Sequence, residues 1–300
     1  MRVVDLFAGC GGLSLGLQNA GFDVVAAFDN WDKAVATYRY NFLHPAFRAD
    51  LMDDEDVSLK IAEFKPDMIV GGPPCQDYSS AGKRNEDGGR AILTVKFAKI
   101  VSRVSPERFV MENVHNIGKY KMVYEAIDIL KRCGYGISSA VLDASFCGVP
   151  QKRKRFIMVG KKGVQDGFFD TYFKNGLAKE PMTVADYFGD KLDIKAYYRH
   201  PRSYARRGIF SVNEPSPTIR GVNRPIPSGY QIHANDAANS LDGVRPLSTR
   251  ERASIQTFPE SFEFFGSRTE VEQMIGNAVP VNLAKFVGNA INAYLKDNNQ

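Results

Sequence analysis

Along the first 160 residues, short runs of consecutive apolar residues alternate with longer stretches in which apolar residues return every three or four positions. The short runs are rich in Val, Ile and Phe and too brief for stable helices. They predict strands at residues 3–7, 23–28, 46–49, 68–70, 108–111, 137–142 and 156–159. The periodic stretches predict helices over 13–20, 31–42, 56–64, 92–104 and 123–132. Strand and helix alternating in this way predict an α/β fold with a doubly wound, mostly parallel sheet. Ligands of such sheets sit outside the carboxyl ends of the strands. Asp5, Asp29, Asp50, Cys75 and Glu112 all fall at or near those ends.

The pattern changes after Gly160. Residues 161–247 are rich in Gly, Pro, Ser, Asn and charge, which predicts a second, smaller region of short strands and long loops. Helical periodicity returns at 249–256 and again at 282–295. No internal repeat or low-complexity tract interrupts the chain.

Composition changes this picture little: 44% hydrophobic and 24% charged residues describe an ordinary soluble globular protein with ample core. No apolar run approaches the length of a membrane span, and Asp5 interrupts the N-terminal run too early for a signal peptide. Cys10, Cys75, Cys133 and Cys147 have neither C-x-x-C spacing nor histidine pairs beside them. Neither a metal site nor a disulfide framework is expected, and reduced thiols in a cytoplasmic protein are the simplest reading. The net charge of +5 is mild, but from Lys195 to Arg224 seven basic residues face one acid, Glu214. These are Lys195, Arg199, Arg202, Arg206, Arg207, Arg220 and Arg224, with Tyr197, Tyr198, Tyr204 and Phe210 among them. Such a stretch fits a polyanion surface and, on charge alone, equally fits a solvated loop face.

Gly72-Pro73-Pro74-Cys75-Gln76 closes the run Met68-Ile69-Val70. Proline fixes its own φ and biases the preceding residue toward extended geometry, so the thiol sits on a stiff strand end, which suits a nucleophile. Phe7-Ala8-Gly9-Cys10-Gly11-Gly12-Leu13 links a strand to a helix, where glycines let a ligand approach and the helix start favours negative groups. Its spacing is not that of the dinucleotide fingerprint, and a tight turn without a ligand would look the same. Asp29 ends the second strand, where an acid commonly holds ribose hydroxyls, and Asn30 and Trp31 follow. Trp31 suits purine stacking or core packing. Asp50-Leu51 suits an adenine contact or a helix cap. Glu112 would lie beside Cys75 across the sheet top, and a carboxyl next to a thiolate has reason to keep its proton. Gln151, Arg153 and Arg155 alternate onto one face of a strand, with Lys152 and Lys154 on the other. Three donors on one face can hold a phosphate or a base carbonyl, and a solvated basic edge strand is the alternative.

Taken in order, these segments resemble the C5-cytosine DNA methyltransferases over nearly the whole chain. The resemblance runs from Asp5–Gly16 through Gly72–Gln76, Glu112-Asn113-Val114 and Gln151-x-Arg153-x-Arg155. It continues at Arg245-Pro246-Leu247-Ser248-Thr249-Arg250-Glu251 and ends at Gln273-Met274-Ile275-Gly276-Asn277-Ala278-Val279-Pro280. It implies a Rossmann-like class I methyltransferase fold, with residues 1–165 and 272–300 forming the cofactor-binding catalytic domain. Residues 166–271 would form a small target-recognition domain. It implies S-adenosylmethionine as methyl donor, leaving as S-adenosylhomocysteine. Phe7, Ala8, Gly9, Gly11, Gly12, Leu13, Asp29 or Asn30, Trp31, Asp50, Leu51, Pro73, Asn277 and Val279 would surround it.

The resemblance also implies covalent catalysis. The Cys75 thiolate would add to C6 of cytosine and make C5 nucleophilic, with Glu112 at N3 and Arg155 at O2 stabilising the charge and Arg153 bracing a loop or phosphate. The target base must be flipped out of the duplex. Residues 76–91, with Gln76, Ser79, Lys83 and Arg84, would close over it. Gln151, Arg199, Arg202, Arg206, Arg207, Arg220 and Arg224 would contact DNA. Three departures stand out: Asn30 precedes Trp31 where many members have Glu, Asp77-Tyr78 follows Gln76 where an apolar residue before Ser is usual, and the recognition region before Pro215-Ser216-Pro217-Thr218-Ile219 is short. A tRNA cytosine methyltransferase, a non-catalytic DNA-binding relative and a nicotinamide or flavin oxidoreductase are the competing classes. The expected partner is double-stranded DNA, with no membrane contact. A cognate restriction endonuclease would act without a stable complex, and the enzyme would work as a monomer near the nucleoid.

Overall fold

The computed structural model describes residues 1–74, 91–201, 203 and 206–299. Seven strands form the main sheet: β1 (Arg2–Leu6), β2 (Asp23–Asp29), β3 (Ala46–Arg48), β4 (Met68–Gly71), β5 (Arg108–Val114), β6 (Tyr135–Asp143) and β8 (Lys154–Lys162). Their order is β3-β2-β1-β4-β5-β8-β6. The first five strands are parallel, and β8 runs antiparallel to both β5 and β6. The seven expected strands are thus all present, within about three residues of the predicted ends. β5 runs on to Val114, so Glu112 and Asn113 lie within the strand.

The sheet order reverses between β1 and β4, and a crevice opens at such a switch point. Register aligns the strand ends there. Leu6 pairs with Phe28 on one side and Gly71 on the other, and Gly71 pairs with Met111. Phe7, Asp29, Gly72 and Glu112 therefore follow one another along a single edge.

Helices cover both faces because their apolar stripes need burial. On one face lie α3 (Asp54–Ala62), α4 (Ile92–Val104) and α5 (Lys121–Arg132), through Val57, Ile61, Phe97, Val101, Val123 and Leu130. Asp53 caps α3 by accepting from the Asp56 N–H at 3.3 Å, and three acids in its first turn complement the positive end of the helix dipole. On the other face lie α1 (Gly12–Asn19) and α9 (Val281–Asp297), through Leu13, Leu17, Leu283, Val287 and Ile291. These two helices meet backbone to backbone. A Cβ on Gly12 would lie 2.2 Å from the Val279 carbonyl oxygen, and one on Gly16 would lie 2.3 Å from that of Val281. That contact brings the C-terminal segment to the crevice.

A third cluster joins α2 (Asp32–Asn41) to the smaller elements, with Tyr38, Tyr197, Phe210, Leu247 and Ile275 among its members. Those elements are β9 (Ala196–Tyr198), β10 (Ile209–Ser211) and β12 (Arg245–Pro246) in a three-stranded sheet, and β11 (Ser216–Pro217) paired with β7 (Gln151–Lys152). Short helices α6 (Val184–Phe188) and α7 (Thr249–Ile255) flank them. The periodicity missed α8 (Arg268–Asn277), although a capping box formed by Ser267 and Glu270 opens it and Val271, Met274 and Ile275 give it a buried stripe. Among the described residues no helix is long and apolar enough to cross a membrane, and no group of three metal-ligating side chains occurs.

Candidate active site

A cavity of about 1910 Å³ opens over the carboxyl ends of β1, β2, β4 and β5. Its lining includes Phe7, Ala8, Gly9, Leu13, Asp29, Asn30, Trp31, Asp50, Leu51, Pro73, Asn277 and Val279, all expected at a cofactor. The turn from Phe7 to Gly9 is strained. Phe7 has φ +56 and Gly9 φ +55, the left-handed region that a bulky residue rarely enters. A Cβ on Gly9 would meet nothing within 4 Å, so the backbone there borders open space.

Gly11 and Gly12, also expected at a cofactor, are not among the residues that line the cavity. Gly11, at φ +102, sits against the ring of Phe42, and Gly12 against Val279; both set the approach of neighbouring elements. Asp29 accepts from the Gly9 N–H and the Trp31 N–H, each at 2.8 Å, one on each carboxylate oxygen. Burial pushes its pKa up, and these two hydrogen bonds oppose that shift. Asp29 therefore holds the glycine turn in place, while the neighbouring Asn30 is exposed at the cavity. Asp50 accepts from the Met52 N–H at 3.0 Å through one oxygen, which leaves the other for a ligand. Polar Asn30 and Asp50 and aromatic Phe7 and Trp31 line the same cavity, a combination of groups that fits a nucleoside.

Glu112 lines the cavity, 8% exposed. Arg155 from β8 meets it at 2.9 Å from Nε to Oε1, because Val114 and Arg155 are register partners in the β5–β8 ladder. The Gly72-Pro73-Pro74 backbone passes directly beside this pair. A Cβ on Gly72 would lie 3.1 Å from Glu112 Oε2. Asn113, buried, donates from Nδ2 to the Pro73 carbonyl at 2.9 Å. Asn113 thus fixes the segment leading to Cys75. Cys75 itself lies outside the described residues, as do Gln76, Ser79, Lys83, Arg84 and Arg202 and the rest of the expected closing loop up to 90.

Basic residues also line the cavity. Arg199, Arg206, Arg207 and Arg220 line it; Arg224 is exposed outside it. Most of these arginines are engaged within the chain. Arg207 pairs with Glu214 at 2.5 Å and lies over the Phe210 ring at 4.3 Å. Arg199 donates to the Thr218 carbonyl at 2.9 Å and Arg220 to that of His200 at 2.5 Å. The alternation at residues 151–155 holds, but its direction is reversed. Gln151 is fully buried and Arg153 is 2% exposed, while Lys152 and Lys154 are exposed on the cavity wall. The amide of Gln151 is engaged at both ends, so it is an internal brace and not a surface contact to DNA. Arg153 donates to three main-chain carbonyls, and burial lowers its pKa with Arg155 adding to that and Glu112 opposing it. Sequence reasoning missed Lys152, Lys154, His115 and Asn116, which also line the cavity. The signal was the strand alternation, read with the wrong face outward.

A glycine turn beside a polar and aromatic pocket, and a carboxyl–arginine pair at a Pro-Pro strand end, define a C5 methyltransferase site on an α/β sheet. The family model of the C-5 cytosine-specific DNA methylases matches residues 1–293, and the chain belongs to that family. It is a DNA cytosine methyltransferase. It is 55% identical over 298 residues to the type II methyltransferase M.HindV of Haemophilus influenzae, covering 99% of this chain and 98% of that one. To the type II methyltransferase M.HgiDI of Herpetosiphon aurantiacus it is 54% identical, covering 98% and 95%. The fold matches a DNA modification methyltransferase encoded in an E. coli prophage, with a TM-score of 0.71 at 24% identity over 99% of both chains. It also matches the S. pombe Dnmt2 methyltransferase, with a TM-score of 0.71 at 19% identity over 100% and 99%.

Proposed function

We propose that the enzyme methylates C5 of a cytosine flipped out of a specific duplex DNA sequence, using the Cys75 thiol as covalent catalyst. The observation that carries this reading is the Glu112–Arg155 pair, 2.9 Å apart, beside the backbone of Gly72, three residues before Cys75 in the chain. A pyrimidine whose C6 meets that thiol would present N3 to Glu112 and O2 to Arg155. The S–C6 bond forms as the C5–C6 π pair moves toward C5, and the charge spreading to N3 and O2 is stabilised by a hydrogen bond from the Glu112 carboxyl and by the Arg155 guanidinium. C5 then takes the methyl group. A base removes the C5 proton, the C5–C6 double bond re-forms and Cys75 leaves as thiolate.

S-adenosylmethionine, when bound, supplies an electrophilic methyl on a sulfonium. Asn30 and Asp50 would hold its ribose and adenine, Trp31 and Phe7 would flank the ring, and Asn277 and Val279 would border the methionine end. Residues 1–165 with 272–300 would carry catalysis, and 166–271 would read the target. Lys152, Lys154 and Arg206 are exposed on the cavity wall, with no side-chain partner among the described residues, and suit phosphate contacts. The type II names of the relatives support a paired restriction endonuclease of the same specificity. One base per site requires only a monomer in the cytoplasm beside the nucleoid.

Bisulfite mapping of DNA from cells expressing the chain tests this. Protected cytosines should recur within one sequence and vanish with Cys75→Ala. In vitro, labelled methyl should enter duplex DNA and not tRNA; labelling of tRNA instead would overturn the DNA reading.

A further inference from the structure

Beneath the cavity, a cluster of buried polar side chains joins three segments that are distant in sequence. Arg153 sits at its centre, between β7 and β8. Its Nη1 donates to the Ile219 carbonyl at 3.1 Å, and its Nη2 donates to the carbonyls of Gly276 at 3.1 Å and Ala278 at 3.0 Å. Gln151 takes the other backbone group of Ile219, whose N–H donates to its Oε1 at 2.8 Å. The amide of Gln151 donates to Gln256 at 2.6 Å, and Gln256 donates to the carbonyls of Ile275 at 2.6 Å and Ala278 at 3.1 Å. Arg252 donates to the Arg220 carbonyl and pairs with Glu272 at 2.6 Å. Two backbones touch at the same place: a Cβ on Gly276 would lie 2.3 Å from the Gly221 nitrogen.

Both joined segments line the cavity, residues 219–222 with Arg220 and residues 276–279 with Asn277 and Val279. On the reading above, the first would face DNA and the second the cofactor. A guanidinium is planar, and its donors keep a fixed mutual angle. Ile219 and the Gly276–Ala278 carbonyls therefore hold one relative position, and neither segment can shift without breaking a charge-assisted bond or carrying the other along. A fully buried arginine serving only main-chain carbonyls on two cavity walls has the placement of a link between them.

We propose that Arg153 is a positioning residue that couples the two binding events. Filling the cofactor end settles residues 276–279 and, through Arg153, the loop 219–222 that faces DNA. By linkage the reverse holds with the same factor. The inference rests on the cofactor and DNA reading above.

Hydrogen exchange on the intact enzyme with S-adenosylhomocysteine alone is the first test. Slowed exchange at 276–279 together with 219–222 is expected. Protection at 276–279 without change at 219–222 overturns the coupling. Protection nowhere in the chain overturns the cofactor assignment, and the coupling with it. The second test is calorimetric titration of S-adenosylhomocysteine with and without a duplex built around a cytosine mapped as methylated. The wild type should bind about tenfold tighter with the duplex. Arg153→Met should lose that ratio while its affinity without duplex stays within about threefold, and Arg153→Lys should keep part of it. An unchanged ratio in Arg153→Met refutes the proposal. Should that variant not fold, Arg153→Lys and the exchange pattern of the wild type still decide it.

Discussion

Asp5→Asn should flatten the dependence of stability on pH. Asp5 lies in β1 with no exposure, accepts from Ser14 Oγ at 2.6 Å through Oδ2, and has no partner at Oδ1 among the described residues. Burial raises its pKa from 3.8 to about 7, with the Asp29 charge adding to that and the Ser14 hydrogen bond opposing it. A carboxyl whose pKa is higher folded than unfolded favours the folded state fully below the unfolded value, and that contribution is lost as pH rises through the folded one. Between pH 5 and pH 8 the loss is of the order of 3 kcal/mol, from the free-energy equivalent of about 1.4 kcal/mol per pKa unit. For a chain of 300 residues this corresponds to roughly 4 °C in Tm. Asparagine retains an acceptor for Ser14 but does not ionise. Its amide nitrogen, without an acceptor at the Oδ1 position, adds a penalty of about 1–3 kcal/mol that does not vary with pH. Urea melts of both proteins from pH 5 to 8 should therefore give a wild-type minus variant difference that falls steadily as pH rises, whatever its absolute offset. Parallel curves would show that Asp5 does not titrate in this window and would refute the reasoning.

Glu112→Ala should lower methyl transfer by about 10²–10³, as loss of one group stabilising transition-state charge does, with duplex affinity within about threefold in a filter-binding assay. Equal losses in affinity and rate would make Glu112 a DNA contact instead. Replacing Lys152 and Lys154 together by Gln should make the slope of log Kd against log salt shallower by about 2, and an unchanged slope removes both from the phosphate contacts. Gly16→Ala places a Cβ 2.3 Å from the Val281 oxygen and 2.4 Å from the Ala284 Cβ, neither of which can yield easily. The expected cost of about 1–3 kcal/mol should appear as a lower urea midpoint, and a midpoint at the wild-type value would contradict the close packing of α1 on α9.

The sheet was legible in the sequence because parallel strands covered on both faces are short apolar runs, and the crossover helices between them carry a clear stripe. The cavity lining around Phe7, Asp29 and Asp50 was legible too, since these residues stand at or just past strand ends that line up in register. What stayed hidden depends on partners far along the chain. Gln151 and Arg153 look like surface donors until carbonyls 66 and 125 residues away turn out to receive Arg153. A buried charge needs such partners, and no local pattern announces them. Asp29 has the position of a ribose ligand, but backbone N–H groups from its own turn and the glycine turn use both its oxygens. The arginines from 199 to 220 form a basic stretch in sequence, yet Glu214 and main-chain carbonyls engage three of them. Lys152 and Lys154, on either side of Arg153, have no side-chain partner among the described residues, because burying Gln151 and Arg153 turned the lysines outward.

The most direct measurement is trapping with a duplex that carries 5-fluorocytosine at the mapped target position. Fluorine at C5 cannot leave as a proton does, so with S-adenosylmethionine present the enzyme should run on a denaturing gel as a protein–DNA adduct. Peptide mass spectrometry should locate the link at Cys75, and Cys75→Ser should give none. Methylated DNA from an enzyme that forms no adduct, or an adduct at another residue, would contradict the account.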